Sequence, residues 1–285
     1  VTPFGARLDA AMSAHGPLCV GIDPHAALLD AWGLPDDAAG LRRFALTVLE
    51  AVGGRVAAVK PQSAFFERHG AAGVAVLEEV VAAGRDTGTL VVVDAKRGDI
   101  GSTMGAYADA YLRDGSPLAG DALTVSPYLG FGSLAPAVEA AHATGRGLFV
   151  LALTSNPEGP AVQHARDAEG VAVADRVARE AAVANAAELA ATGGALGSVG
   201  LVVGATVGDA AERLGVDLAA VRGPLLAPGV GAQGAGPAEL AAVFGAARPA
   251  VLASSSRGVL AAGPSVAGLR EAALRAAGEA GAALR

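Results

Sequence analysis

The chain has 285 residues, a length that suits one large α/β barrel or two smaller domains. Hydrophobic residues make up 52% and charged residues 17%, and no apolar run reaches about 18 residues, which excludes a transmembrane helix. A formal net charge of −7 argues against general nucleic-acid binding but leaves room for one local basic site for a phosphate.

Much of the apolar share is alanine, so a soluble globular protein with alanine-rich helices is expected. Cys19 is the only cysteine. No intrachain disulfide can form, and a cytoplasmic setting is expected. The N-terminal stretch VTPFGARLDAAM has neither the basic region nor the apolar core of a signal peptide. His15, His25, His69, His142 and His164 show no metal-ligand spacing and read as surface or packing residues.

In chain order, Phe4, Leu8 and Ala11 fall at helical spacing, and Gly16-Pro17 ends that segment. LCVGID (18–23) reads as the first strand. A helix over 41–52 follows, then the strand VAAVKP (56–61), with Phe65 and Phe66 in a short connection. A helix over 73–83 leads to the third strand, 90–96, and residues 102–113 are helical. ALTVSP (122–127) is the fourth strand, 134–143 a helix, and GLFVLALT (147–154) the fifth strand. No role is read for the polar stretch 155–170, although loops of that length are often functional.

Residues 171–191 form an amphipathic helix with Val173, Val177, Ala181 and Ala184 as its buried stripe. Asp175–Arg179 and Arg176–Glu180 are expected to pair on its outer side. SVGLVVGA (198–205) is the sixth strand and 206–214 a short helix. PLLAPGV (224–230) is the seventh, 237–246 a helix, and PAVLASSSRG (249–258) the eighth. The last helix starts near Ser265. Strict strand–helix alternation predicts a parallel sheet, and eight units in this length predict a single closed (β/α)8 barrel over 1–285, with 1–16 as a preceding helical segment. An open doubly wound sheet is the alternative.

Active sites of such barrels sit at the C-terminal strand ends. Those ends carry Asp23, Lys60, Asp94, Lys96, Ser126, Thr154, Ser155, Asn156 and Arg257, with Asp99 and Gln233 just beyond. Any one of them could be a cap or a surface ion pair, but their convergence on one rim favours function. Side chains alternate along a strand, so Asp94 and Lys96 are expected on the same side. The stretch PGVGAQGAG, Pro228 to Gly236, offers backbone N–H groups of the kind that hold anions. SSSRG adds hydroxyls and a guanidinium that can grip a phosphate. The alternating charges of Asp23, Lys60, Asp94 and Lys96 suggest proton transfer beside a charged substrate. No metal cluster, dinucleotide fingerprint or Walker loop is present, so no cofactor is expected.

Seven stretches carry a family resemblance over nearly the whole chain: GPLCVGIDPH (16–25), VKPQSAFFERHG (59–70), VVVDAKRGDIGST (91–103), LTSNPEG (153–159), GLVVGAT (200–206), APGVGAQG (227–234) and SSSRG (254–258). The chain resembles the orotidine 5′-phosphate decarboxylases, in particular their longer bacterial type-2 branch. The resemblance implies cofactor-free conversion of orotidine 5′-phosphate to UMP in pyrimidine synthesis. It implies that Lys96 protonates carbon six of the pyrimidine as carbon dioxide leaves, that Asp94 sits beside the substrate carboxylate, and that Lys60 and Asp99 complete a charge network. In the family the counterparts of Asp99 and Thr103 come from the neighbouring subunit, which implies a homodimer with shared sites. Asp23 would bind a ribose hydroxyl. Ser155, or its neighbours Thr154 or Asn156, would meet the pyrimidine. Gln233 and Arg257 would hold the phosphate, with Pro228 and the backbone near Gly231 and Gly258. A metal-dependent sugar-phosphate enzyme on the same barrel and a catalytically silent nucleotide-binding barrel are the alternatives.

Overall fold

The computed structural model describes residues 1–230 and 235–285. Among the described residues, eight parallel strands stand in chain order: β1 (Leu18–Ile22), β2 (Ala58–Pro61), β3 (Leu90–Arg97), β4 (Ala122–Val125), β5 (Gly147–Leu153), β6 (Val199–Val203), β7 (Leu225–Pro228) and β8 (Val251–Ser255). β8 pairs back to β1 through Leu18↔Ala253, Cys19↔Ser254 and Val20↔Ser255. That closure makes a (β/α)8 barrel and removes the open-sheet alternative. No helix among the described residues is long and apolar enough to cross a membrane.

The helices are α1 (Phe4–His15), α2 (Ala26–Ala31), α3 (Ala38–Val52), α4 (Ser63–Glu67), α5 (Gly70–Asp86), α6 (Gly101–Leu112), α7 (Ala135–Thr144), α8 (Pro160–Gln163), α9 (Val173–Thr192), α10 (Ala210–Leu214), α11 (Pro237–Phe244), α12 (Arg257–Leu260) and α13 (Val266–Ala283). The sequence reading missed α2, α4, α8 and α12. Each spans four to six residues, too short to show a 3.6-residue repeat. It also ran β8 into 256–258, where the chain already turns into α12, and started it at 249, inside a 3-10 turn.

Two apolar layers follow from the period of two along each strand. Val20, Ile22, Val59, Val91, Val93, Leu123, Val125, Val150 and Leu201 face outward into the helix layer. Cys19, Ala58, Leu90, Val92, Ala122, Phe149, Val202, Leu226 and Leu252 face inward and fill the barrel. α1 plugs the floor with Phe4, Leu8 and Met12, and Phe4 meets Phe149 edge-on at 5.9 Å. Arg7 ties the plug to Asp121, whose other oxygen accepts from Val91 N–H at 2.8 Å. With the lower barrel packed, a ligand can enter only from the C-terminal rim.

In α9 the buried stripe is rotated from the expected one. Ala174, Asp175, Val177, Ala178, Ala181, Asn185 and Leu189 are buried. Asn185 explains the rotation: its side-chain amide donates to Val199 O and Val221 O, and its Oδ1 accepts from Val199 N–H. Asp175 does pair with Arg179. Arg176 binds Asp167 and Glu169 rather than Glu180, because the 164–172 loop folds back over that face.

Candidate active site

On the side of β1 to β4, the inward positions above the apolar filling turn polar. Cys19 is followed inward by Gly21 and Asp23, Ala58 by Lys60 and Gln62, Val92 by Asp94, and Ala122 by Thr124. One cavity of about 440 Å³ opens over this layer. Its lining includes Asp23, Lys60, Asp94, Lys96, Thr154, Ser155, Asn156, Pro228 and Arg257 from the sequence reading. Its apolar wall is Leu151, Val202 and Leu226 from β5, β6 and β7. A volume of this size suits a small organic ligand, and an apolar wall lowers the local dielectric around the charges opposite.

Asp94 is the hub. Its Oδ2 accepts from Lys60 Nζ at 2.8 Å and from Gln62 Nε2 at 2.9 Å. Its Oδ1 accepts from Lys96 Nζ at 2.6 Å and from the Thr124 hydroxyl at 2.8 Å. Burial by itself would push the Asp94 carboxyl up, but Lys60 and Lys96 outweigh it and hold the group below the usual carboxylate range. Burial by itself would pull the Lys60 ammonium down, yet Asp94 and, further off, Asp23 hold it above the ordinary lysine value. Cys19, beneath Lys60, is sealed in the barrel, and burial pushes its thiol up to about 12. It is an inert packing group.

The two lysines differ in access. The Lys60 side chain is 7% exposed and that of Lys96 is 44% exposed. Lys60 is therefore the fixed counter-charge, and Lys96 is the ammonium that can meet a ligand. Asp94 and Lys96 do meet, but not through the regular strand alternation expected of them. The β3–β4 register jumps from Val93↔Leu123 to Arg97↔Val125, so β3 bulges, and Lys96 sits inside the bulge at φ +47°. Such a backbone is uncommon for a residue with a side chain and clusters at functional sites.

A buried ion pair stripped of one partner leaves an uncompensated charge. Asp94→Asn is expected to lower unfolding stability in denaturant titrations by about 3–5 kcal/mol, because Lys60 stays buried. The folded Asp94 carboxyl lies below its unfolded value of about 3.9, so this deficit is fully present above that pH. It shrinks as pH falls through the lower, folded value. A variant as stable as the parent at pH 7 would contradict the pairing.

Just past β1, Asp23 brings a buried Oδ1 with no hydrogen-bond partner among the described residues. A cavity-lining acceptor of this kind calls for a donor from a ligand. Gly21 makes room beside it: a Cβ there would lie 1.9 Å from Ser256 Oγ and 3.0 Å from Asp23 Oδ2. After β5, Gln163 of α8 accepts from Thr154 N–H at 2.9 Å and donates to the Thr154 hydroxyl at 2.6 Å. The 155–170 stretch thus has a structural task. It returns to brace the strand end that presents Thr154, Ser155 and Asn156.

Not every candidate residue lines this cavity. Asp99 and Thr103 do not line the cavity of their own chain: Asp99 caps Ile100 N–H at 2.8 Å, and Thr103 is exposed on α6. Ser126 lies past the end of β4, bonded through its N–H to Arg97 O, and does not line the cavity either. Gly258 faces a neighbouring cavity between α13 and the β7–α11 connection. Gly231 and Gln233 lie outside the described residues. The reading passed over Gln62, Thr124 and His25. The inward alternation Ala122–Thr124 could have flagged Thr124. His25 is exposed, lines the cavity and meets Phe65 edge-on at 4.3 Å. Arg97 is structural, bound to Glu67 and the Tyr111 hydroxyl. Among the described residues no three His, Cys, Asp or Glu side chains gather as metal ligands.

Comparison with known proteins places this geometry. The orotidine 5′-phosphate decarboxylase / HUMPS family model matches residues 16–272. The chain is 62% identical over 281 residues to the orotidine 5′-phosphate decarboxylase of Salinispora arenicola, covering 99% of this chain and 98% of that relative. A crystal structure from Streptomyces avermitilis superposes with a TM-score of 0.94 at 61% identity, covering 100% of this chain and 96% of the other. Leishmania donovani OMP decarboxylase superposes with a TM-score of 0.76 at 32% identity, covering 99% of each chain.

Proposed function

The chain belongs to the orotidine 5′-phosphate decarboxylase family and converts orotidine 5′-phosphate to UMP in pyrimidine synthesis, and we propose that Lys96 is the acid of that reaction. The observation that carries this reading is that Lys96 and Arg257 line one cavity. One ligand can therefore place its ring at the first and its phosphate at the second.

In the proposed step the C6–carboxylate bond breaks and carbon dioxide leaves. The electron pair stays on C6 and takes a proton from Lys96 Nζ. The resulting amine regains its proton from solvent. A fixed ammonium stabilises charge building on the ring carbon by preorganised electrostatics. Asp94, held by four donors, cannot swing away as the substrate carboxylate arrives, and it keeps Lys96 aimed. The apolar wall of Leu151, Val202 and Leu226 accepts the departing neutral molecule. Lys60, Lys96 and Asp94 supply the charges the step uses, so turnover is expected to continue with a chelator present. The metal-dependent alternative requires the opposite.

Asp23 fits a ribose hydroxyl, since its free acceptor needs a donor. Ser155, with Thr154 and Asn156, fits the pyrimidine edge, and Arg257 with Pro228 fits the phosphate; the resemblance adds Gln233 and Gly231, which lie outside the described residues. The test is loss of absorbance on adding orotidine 5′-phosphate with no metal or cofactor supplied. No turnover, with UMP still bound, would favour the silent nucleotide-binding reading. Arg257→Ala is expected to raise KM about 10- to 100-fold with a much smaller change in kcat, the loss of one charge-assisted contact to the phosphate. An unchanged KM would remove Arg257 from the phosphate subsite.

We further propose a homodimer in which Asp99 and Thr103 complete the partner's site. Neither side chain enters its own cavity. Beside them the rim exposes Ile100 (61%) and, past the next strand, Tyr128 (77%) and Leu129 (54%), an apolar edge suited to burial against a second copy. A cytoplasmic location accords with the pathway.

A further inference from the structure

We propose that Thr124 is a positioning residue for the protonation step, tying the Lys96 backbone and the Asp94 carboxylate into one fixed relation. The inference rests on the reading of Lys96 as the acid.

A threonine hydroxyl carries one proton to donate and lone pairs to accept. Thr124 uses both capacities. It donates to Asp94 Oδ1 at 2.8 Å and accepts from Lys96 N–H at 2.9 Å. It is 1% exposed, so water does not compete for either bond. The bulge in β3 takes Lys96 off the regular β4 ladder, since pairing resumes only at Arg97↔Val125. A buried backbone N–H removed from a ladder must find another partner, and here it finds the hydroxyl. The same bond holds Lys96 at φ +47°, a conformation that persists only where its surroundings over-determine it.

Without the hydroxyl, Lys96 loses its backbone anchor and Asp94 Oδ1 keeps only the Lys96 ammonium. Asp94 itself stays in place through Lys60 and Gln62 on Oδ2. The pocket therefore survives, and what degrades is the aim of the Lys96 ammonium at the ring carbon.

The test compares Thr124→Val, which keeps the shape, with Thr124→Ser, which keeps the hydroxyl. Thr124→Val is expected to lower kcat about 100-fold, the size of effect that a misplacement near 1 Å produces, with KM and the Kd for UMP within about threefold. Thr124→Ser recovers most of that loss. A Thr124→Val enzyme with parental kcat overturns the inference. So does one that loses UMP affinity in step with kcat, because the hydroxyl would then be holding the pocket and not the acid. So does a Thr124→Ser enzyme as slow as Thr124→Val. Lys96→Ala is assayed alongside: if it is active, the reading of Lys96 as the acid fails first, and if it is inactive while Thr124→Val is fast, this inference alone fails.

Discussion

Lys96→Ala should lower kcat by on the order of 10⁴-fold or more, while UMP still binds. Two losses combine in this one substitution. The ring carbon loses its proton donor, and the developing negative charge loses the nearest accessible ammonium. Lys60 cannot take over, because its side chain is 7% exposed and its Nζ is already committed to Asp94 Oδ2. Water entering the space of the missing side chain is a far weaker acid and is not held in line with the ring. The fold should tolerate the change. Asp94 keeps Lys60, Gln62 and Thr124 as donors, so no buried carboxylate is stranded. Arg257, Asp23 and the β5 end are untouched, so ground-state affinity should persist, and the defect should appear in kcat. Measuring kcat by the absorbance assay and the UMP Kd by calorimetry separates the two. A Lys96→Ala enzyme within tenfold of the parent rate would sink the proposed mechanism.

The parts of the site that were legible in the sequence are those where strand ends carry charge. Asp23, Lys60, Asp94 and Lys96 stand at the ends of apolar runs, and the barrel architecture requires such ends to meet. Arg257 could be placed the same way after β8. Gln62 and Thr124 were harder to find because they are neutral and serve a charge from a neighbouring strand. Their roles depend on cross-strand register, which no single segment encodes. Ser126 is the last polar residue of its run, but the inward period from Ala122 points to Thr124. The bulge at Lys96 was invisible for a similar reason: it is a mismatch between two strands, not a pattern within one. The brace from Gln163 to Thr154 joins a strand end to a helix of four residues, too short to leave a periodic trace. The rotated face of α9 follows from Asn185, a polar residue buried because its amide satisfies the backbone of Val199 at the start of β6.

Mixing inactive Lys96→Ala and Asp99→Ala protomers should restore activity that neither has alone. Lys96 and Asp99 are three positions apart, yet they part company at Gly98. Lys96 turns into its own cavity. Asp99 turns away, capping the backbone of Ile100 outside that cavity. In a two-fold dimer with shared sites, each site takes Lys96 from one protomer and Asp99 from the other. The mixed dimer then concentrates both defects in one site and leaves the second intact. Random exchange of equal amounts makes half the dimers mixed, each with one working site of two, so roughly one quarter of the parental activity should return. A dimer isolated with two different affinity tags should show about half. Sites contained within one protomer allow no such recovery, since every site would carry a lesion whatever the pairing. A doubly tagged dimer, verified as mixed and as inactive as its parents, would therefore assign Asp99 to the site of its own chain, and would leave the exposed edge of Ile100, Tyr128 and Leu129 without the task proposed for it.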